Sequence, residues 1–362
     1  MLDIKRYHPG VHLKDALDAL GMRAAEFSLR TGISERSLSA LLNGKNDVTF
    51  EIAQKLSSFF GDTINFWMNL QHDYDAYLSR EKNHRQDEMD QRLIQEYDIR
   101  DYLISLGVAN ESDPQEVILQ KARKFAGVSA LTLLNRKDGF VSFKEEKSGG
   151  SSHPFAQNYW VASALTEARK KRHRPFDKKK LTEGLASLPH WSLESPSSFV
   201  PKLHSLFQEA GVSFVFLPYL NKSNLYGATR WYGQNEVMLA ISNKNNRADL
   251  FWFTLAHEIA HVLMEHKRGF LYSGDGLEDL EADKMAEGLL VPQKDYERFI
   301  KEKKSFSPED VEQFAKQIGV LPLIVTMRLQ KEGRIKEETF LERFNVAYKT
   351  GELLMLEQQE VR

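Results

Sequence analysis

The chain has 362 residues, 41% hydrophobic and 28% charged, which fits a protein of two or three globular domains. Its formal net charge of −2 excludes a general attraction to nucleic acid or membranes, so any such contact depends on local patches. The absence of cysteine excludes disulfides and thiolate metal ligands. The first ten residues lack the apolar segment of a signal peptide and no apolar run is long enough to span a membrane, so we expect a cytoplasmic protein.

The N-terminal segment, residues 1–78, predicts five short amphipathic helices. Apolar residues recur at helical spacing in each of them. Ser34 and Thr49 are typical N-cap residues, and Gly21 and Gly32 stand where helices end. The second and third helices are joined by a turn that contains Gly32, an arrangement typical of a helix-turn-helix.

The rest of the chain divides into three further segments. Residues 79–185 begin as a charged linker and continue as a helical region, which includes a basic run, Arg169–Lys180. In residues 186–300, the β-rich stretches GVSFVFLPYL and NEVMLAIS predict a small antiparallel sheet before a helix. Residues 301–362 have the pattern of a charged helical region. The sequence thus predicts an α+β fold that is mostly α, and we expect the basic run to be a solvated helix end rather than a phosphate-binding segment.

The helix after the predicted sheet carries the segment HEIAH, from His257 to His261. Histidines four residues apart lie one turn apart on one helix face, so both imidazoles can reach the same metal ion. Catalytic zinc commonly has three protein ligands and a water, whose pKa it lowers to about 7, and Glu258 could act on that water as general base. Because the flanks FWFTLA and VLM are apolar, burying these polar side chains is costly unless they are paired or bind metal. This pattern predicts a Zn²⁺ site.

A third zinc ligand is expected on the helix that follows. The segment EDLEADKMAEGLL offers five carboxylates: Glu278, Asp279, Glu281, Asp283 and Glu287. We expect its buried stripe to consist of Ala282, Met285, Ala286 and Leu289. Glu281 then lies at the edge of the face turned toward the core, and Glu278, one turn earlier, is its competitor. Spacing alone leaves both open.

The segments FTLAHEIAHVLMEH and LEADKMAEGLLVP resemble the ImmA/IrrE family of bacterial and phage metallopeptidases. The resemblance covers about residues 188–335. It implies that His257, His261 and Glu281 are zinc ligands and that Glu258 is the catalytic glutamate. It also implies that the partner is an Xre-like repressor, an antitoxin or a toxin, as substrate or binding partner. Three residues are candidates for stabilising an oxyanion: Tyr226, His266 and Tyr272.

Residues 8–75 resemble the Xre/Cro-like helix-turn-helix domain of HigA-type antitoxins. The resemblance lies in an initial His-Pro-Gly, a Leu-Asn-Gly after the third helix and a Phe-Trp-x-Asn-Leu-Gln near the end. In such domains the third helix enters the major groove. Ser34, Arg36 and Ser37 would then contact bases, and Asn43 and Lys45 would contact phosphates.

We expect this domain to bind operator DNA as a homodimer. Its charge balance is unusual for a tight DNA binder, since residues 1–78 contain eight Lys/Arg and ten Asp/Glu, giving 8 − 10 = −2. A helix-turn-helix retained for dimerisation or protein contact is therefore the alternative.

Three functions are consistent with these motifs. The leading hypothesis is a zinc-dependent endopeptidase fused to a DNA-binding domain, which regulates transcription by cleaving an Xre-like repressor or antitoxin in a stress, phage or toxin–antitoxin response. The second is a non-cleaving, antitoxin-like repressor whose peptidase domain is a sensor or scaffold. The third is a purely structural histidine pair without metal. Exchange of Glu258 for glutamine separates the first two hypotheses, and the zinc content of the purified protein tests the third.

Overall fold

The computed structural model describes residues 8–135, 153–171, 174–242, 244–265, 270–271, 277–303, 305–336 and 340–360. The chain divides into two compact units, Met1–Met89 and Asp90–Arg362. The described residues are mostly helical and contain one four-stranded sheet, so the predicted α+β, mostly α class is confirmed. None of the described helices combines the length and the apolar character that crossing a membrane requires.

The first unit contains the five helices predicted from the N-terminal pattern. They are α1 (Pro9–Ala19), α2 (Ala24–Thr31), α3 (Glu35–Leu42), α4 (Phe50–Phe60) and α5 (Ile64–Glu96), whose last residues, from Asp90 on, belong to the second unit. Their apolar faces share a core that includes Leu13, Phe27, Leu38 and Trp67. The polar stretch after residue 78, expected as a linker or an exposed helix, continues α5.

The turn between α2 and α3 has the backbone geometry that its sequence predicts. Gly32 adopts a left-handed conformation with φ 67°, which glycine tolerates without a steric penalty. The hydroxyl of Ser34 then caps α3 by accepting a hydrogen bond from the backbone N–H of Ser37, at 3.2 Å. These two signals fix the direction in which α3 leaves the turn.

The second unit consists of thirteen helices and four strands among the described residues. The strands are β1 (Val212–Phe216), β2 (Gly227–Trp231), β3 (Val237–Ile241) and β4 (Phe270–Leu271). The helices are α6 (Ile99–Ser105), α7 (Gln115–Ala126), α8 (Pro154–Lys170), α9 (Lys178–Gly184), α10 (Leu188–Trp191), α11 (Pro196–Glu209), α12 (Ala248–Leu263), α13 (Leu277–Leu290), α14 (Gln293–Glu302), α15 (Pro308–Ile318), α16 (Pro322–Lys331), α17 (Leu341–Phe344) and α18 (Thr350–Glu360).

The sheet is mixed, with the strand order β1-β3-β2-β4. β1 and β3, the two strands predicted from the sequence, pair in parallel, so the expectation of an antiparallel sheet is wrong for this pair. In the sequence, β2 lies between β1 and β3. It pairs antiparallel with β3 and with β4. Both predicted strands are buried along their whole length, as is typical of parallel strands covered on both faces.

Helices cover both faces of this sheet. Phe214 and Leu239 belong to one core, which they share with α11 and α12. Val215 and Met238, one position away along the same strands, belong to a second core with Trp160 of α8. Residues 90–135 and 154–170, assigned from the sequence to a region apart from the sheet, therefore build one side of the second unit. The sequence does not reveal that α8 packs on the sheet, because its apolar residues have the pattern of any helix in a core.

Candidate metal centre and DNA-binding surface

The HEIAH segment lies in the middle of α12, which packs against the sheet. His257, Glu258 and His261 are buried, with exposed fractions of 1%, 1% and 2%. The two Nε2 atoms of the histidines lie 2.9 Å apart, as the spacing of four residues on one helix face predicts. Both imidazoles therefore direct a nitrogen to the same small volume.

The carboxylate that groups with both histidines belongs to Asp279 of α13. Its Oδ1 lies 3.6 Å from the Nε2 of His261, and one ligand atom each from Asp279, His257 and His261 lie within 4.8 Å of one another. Asp279 is buried as well, with an exposed fraction of 8%. Two imidazole nitrogens and a carboxylate oxygen form a donor set that suits zinc. We refer to these three residues as the metal cluster.

Glu281, the expected third ligand, is exposed and is not part of the metal cluster. The reason is the phase of α13. Its buried positions are Asp279, Ala282, Ala286 and Leu290, whereas Met285, expected in the buried stripe, is 36% exposed. Glu281 is two residues after Asp279, which places it on the far side of a helix with 3.6 residues per turn. Glu278, the competitor, has no described side chain.

A second carboxylate of α13 fixes the orientation of His257. Asp283, one turn after Asp279, lies with its Oδ1 2.7 Å from the Nδ1 of His257. The Nδ1–H of His257 donates in this bond, so Nε2 is the ring nitrogen that can bind a metal. Lys331 of α16 donates to the other oxygen of Asp283, at 2.7 Å. Burial by itself would raise the pKa of Asp283, but its hydrogen bonds with His257 and Lys331 lower it below the usual value.

Glu258 has one bonded and one unbonded carboxylate oxygen. Its Oε2 accepts a hydrogen bond of 2.6 Å from the hydroxyl of Thr229 in β2, while its buried Oε1 has no hydrogen-bond partner among the described residues. Burial raises the pKa of Glu258, and the neighbouring His261 and His257 oppose this. A buried carboxyl with a raised pKa and one oxygen available is suited to take up and release a proton.

Strand β2 approaches Glu258 so closely that only glycine fits at position 227. A Cβ on Gly227 would lie 2.8 Å from Cγ and Oε1 of Glu258 and 2.8 Å from Cγ2 of Thr254. The glycine thus lets the strand hold Thr229 against the glutamate. Thr229 was not identified from the sequence, and Asp279 and Asp283 were named only among the five carboxylates of the segment EDLEADKMAEGLL. The pair could have been found by its spacing of four residues, which matches that of the histidines.

The oxyanion candidates gain no support from the described residues. The ring of Tyr226 is half-buried and lies 4.8 Å from the Nζ of Lys244. His266 and Tyr272 lie outside the described residues.

In the first unit, the residues expected to contact DNA lie on and beside α3. Ser34 is engaged in capping the helix and also donates to the hydroxyl of Ser37, at 2.8 Å. The side chain of Asn43 donates to the carbonyl oxygen of Ser39, at 2.7 Å. Arg36 and Lys45 are exposed. Arg36 and Lys45 are thus the two exposed basic side chains among the five expected contacts.

Two family models match the chain on the segments that carry these sites. Residues 13–65 match the model of a helix-turn-helix, and residues 207–330 match the model of the peptidase family described as an IrrE N-terminal-like domain. This chain is an Xre-type helix-turn-helix protein with an IrrE-like domain. The metal cluster, Glu258, Thr229 and Asp283 all lie within the matched segment, residues 207–330.

The chain is also similar to several helix-turn-helix proteins over short segments. It is 36% identical over 69 residues to the virulence-associated protein A′ of Dichelobacter nodosus, which is 19% of this chain and 60% of that protein. It is 38% identical over 63 residues to YddM of Escherichia coli K12 and 30% identical over 82 residues to YbaQ of the same strain, covering 67% and 73% of these proteins. Both are described as uncharacterised helix-turn-helix-type transcriptional regulators.

Among solved structures, an addiction module antidote protein of the HigA family from Coxiella burnetii is 33% identical to this chain. The match covers 24% of this chain and 96% of the antidote protein, with a TM-score of 0.23. Together with the family models, the relatives show a transcription-regulator type of helix-turn-helix joined to a peptidase-family domain.

Proposed function

We propose that the protein is a zinc-dependent endopeptidase fused to a DNA-binding domain, which regulates transcription by cleaving an Xre-like repressor or antitoxin. The observation that carries this is the convergence of His257, His261 and Asp279 beside Glu258. Three metal donors and a general base in one buried site are what metal-assisted peptide hydrolysis requires. The match of residues 207–330 to the IrrE-like model supports the same class of reaction.

The donor set fits zinc, and we propose Asp279 as the third ligand in place of Glu281, which the family resemblance implied. A zinc ion bound there would supply a water of lowered pKa and polarise the peptide carbonyl. Asp283 holds the His257 ring in the tautomer that presents Nε2. Glu258, held by Thr229 through Oε2, receives a proton at Oε1 and then delivers it to the leaving amine. Because the site is buried, little water competes for these groups.

The helix-turn-helix domain would bring the peptidase to an operator. Arg36 and Lys45 are exposed basic residues at α3. Arg36 would contact a base, and Lys45 would contact a phosphate. The net charge of −2 over residues 1–78 limits the non-specific attraction to DNA, and a homodimer would double the contacts. Replacing Arg36 by alanine should weaken binding to DNA from upstream of the protein's own coding region by about 1–3 kcal/mol. Equal binding by wild type and variant in a gel-shift assay would exclude this role.

A second candidate function is the non-cleaving repressor. The specific observation in its favour is that His257, Glu258 and His261 are 1–2% exposed, so a peptide cannot reach them without a movement of the protein. In this case the metal cluster would stabilise the peptidase-like domain or make it a sensor, and the helix-turn-helix domain would repress transcription.

The experiment that separates the two functions uses wild type and Glu258→Gln, each loaded with zinc and mixed with an Xre-type repressor or antitoxin encoded beside it. Intact-mass analysis then detects fragments of the partner or of this chain. Fragments with wild type alone, and equal zinc in both proteins, support the peptidase. Fragments from both proteins would remove Glu258 from the mechanism, and no fragments from either would favour the non-cleaving repressor.

A further inference from the structure

The second unit has a pocket of about 580 Å³ that contains none of the metal-cluster residues. Leu165 and Arg169 from the last turns of α8 line one side, and residues 230–234, at the end of β2 and in the turn that follows, line the other. The volume lies within the range of pockets that take small molecules. Its lining is unusual in bringing two arginines together.

Strand alternation explains why Arg230 faces α8. Its pairing partner across the sheet is Met238, which belongs to the core shared with α8, whereas the next residue, Trp231, packs with the core on the other face. Arg230 is half-buried as a result. The guanidinium of Arg169 lies 5.9 Å from the centre of the Tyr232 ring, at the same edge of the pocket.

The basic residues around Arg169 have a different arrangement. Lys170 forms an ion pair with Glu167, and Lys171 forms one with Glu357. Arg169, by contrast, forms no ion pair with a carboxylate within the described part of the chain. Burial, together with the charge of Arg169, lowers the pKa of Arg230. The half-buried Arg230 and the exposed Arg169 thus place two positive charges on one pocket, which favours a bound anion.

We propose that this pocket binds a small phosphorylated ligand, with a phosphoryl group between the guanidinium groups of Arg169 and Arg230. The planar fork of arginine matches phosphate oxygens in pairs, which a lysine does not provide. The Tyr232 ring supports Arg169, and its hydroxyl is hydrogen-bonded to that of Ser213 at 3.0 Å, which fixes the ring. Arg230 follows Thr229 in β2, so one strand borders both the pocket and the general base.

The test is isothermal titration of the full-length, zinc-loaded protein with inorganic phosphate and with pyrophosphate. Arg169→Met and Arg230→Met retain most of the side-chain volume and remove the charge. Each should weaken binding about 10- to 100-fold, since a hydrogen bond to a charged group is lost. Lys170→Met is the matched control, because Lys170 is the next basic residue of α8 and does not line the pocket. It should leave the affinity unchanged.

Several results would overturn this assignment. One is the absence of saturable binding of either probe by wild type. Another is equal weakening by Lys170→Met, which would mean general attraction to a basic surface. Binding of a DNA duplex, but of neither probe, would assign the arginines to nucleic acid instead. Circular dichroism and thermal melting test whether Arg230→Met is folded. Because Arg169 is exposed, Arg169→Met should leave the fold unchanged.

Discussion

Exchange of Asp279 for asparagine should weaken zinc binding strongly, whereas exchange of Glu281 for glutamine should not. Structural zinc with four ligands is bound by about 10–16 kcal/mol, so one ligand contributes about 2.5–4 kcal/mol, or roughly 100- to 1,000-fold in affinity. An asparagine keeps one oxygen but loses the charge. For Asp279→Asn we therefore expect the lower end, about 100-fold.

The matched control is provided by the same helix. Glu281 is exposed, and its side chain lies on the opposite side of α13 from Asp279. Surface substitutions of this kind change free energies by less than about 0.5 kcal/mol, so the zinc affinity of Glu281→Gln should change less than about 2-fold. The assay is competition for zinc with a chromophoric chelator at fixed pH and salt. A greater loss in Glu281→Gln than in Asp279→Asn would refute the assignment of Asp279 and restore the ligand expected from the sequence.

Three further outcomes follow from the site and its surroundings. Thr229→Val should leave zinc affinity unchanged but lower the cleavage rate about 10-fold, because Glu258 loses its only hydrogen bond among the described residues. Asp283→Asn should weaken zinc binding about 10- to 100-fold, since it no longer orients the histidine. Asp310 has its pKa lowered to about 2 by hydrogen bonds from the ammonium of Lys303 and from the N-cap of α15. Its stabilisation is full above about pH 4 and is lost as the pH falls toward 2, so the melting-temperature deficit of Asp310→Asn should shrink over that range.

Each of these outcomes has a measurement that can contradict it. Rates and zinc titrations on the same Thr229→Val preparation distinguish a positioning role from a structural one, because a disturbed fold would also lower zinc affinity. Unchanged zinc binding in Asp283→Asn would show that the tautomer is set by another group. A melting-temperature deficit of Asp310→Asn that stays constant between pH 4 and pH 2 would mean that its charge is not what stabilises α15.

The sequence predicts those features that depend on local spacing. The five N-terminal helices, the capping by Ser34 and the shared face of His257 and His261 all follow from patterns within a few residues. The third metal donor depends instead on the rotation of α13 against α12. Met285 and Leu290 are equally apolar, and only the packing shows that Leu290 is the buried one, which turns Asp279 inward.

The pairing of strands that are distant in the sequence was the other feature that could not be predicted. The residues of β1 and β3 were found, but their parallel register depends on β2 entering between β3 and β4, and β2 contains a glycine and an arginine that obscure its pattern. The surroundings of Gly227 and Arg230 explain why these two residues occur in the strand. Gly227 makes room for the side chain of Glu258, and Arg230 lines a pocket with α8.

The most direct test of the central claim is a crystal structure of the zinc-loaded protein with anomalous data on both sides of the zinc absorption edge. We expect one anomalous peak at about 2.0–2.2 Å from Nε2 of His257, from a nitrogen of His261 and from a carboxylate oxygen of Asp279, with Glu258 beside it. A peak ligated by Glu281, or no peak at this site in crystals grown with zinc, would contradict the account.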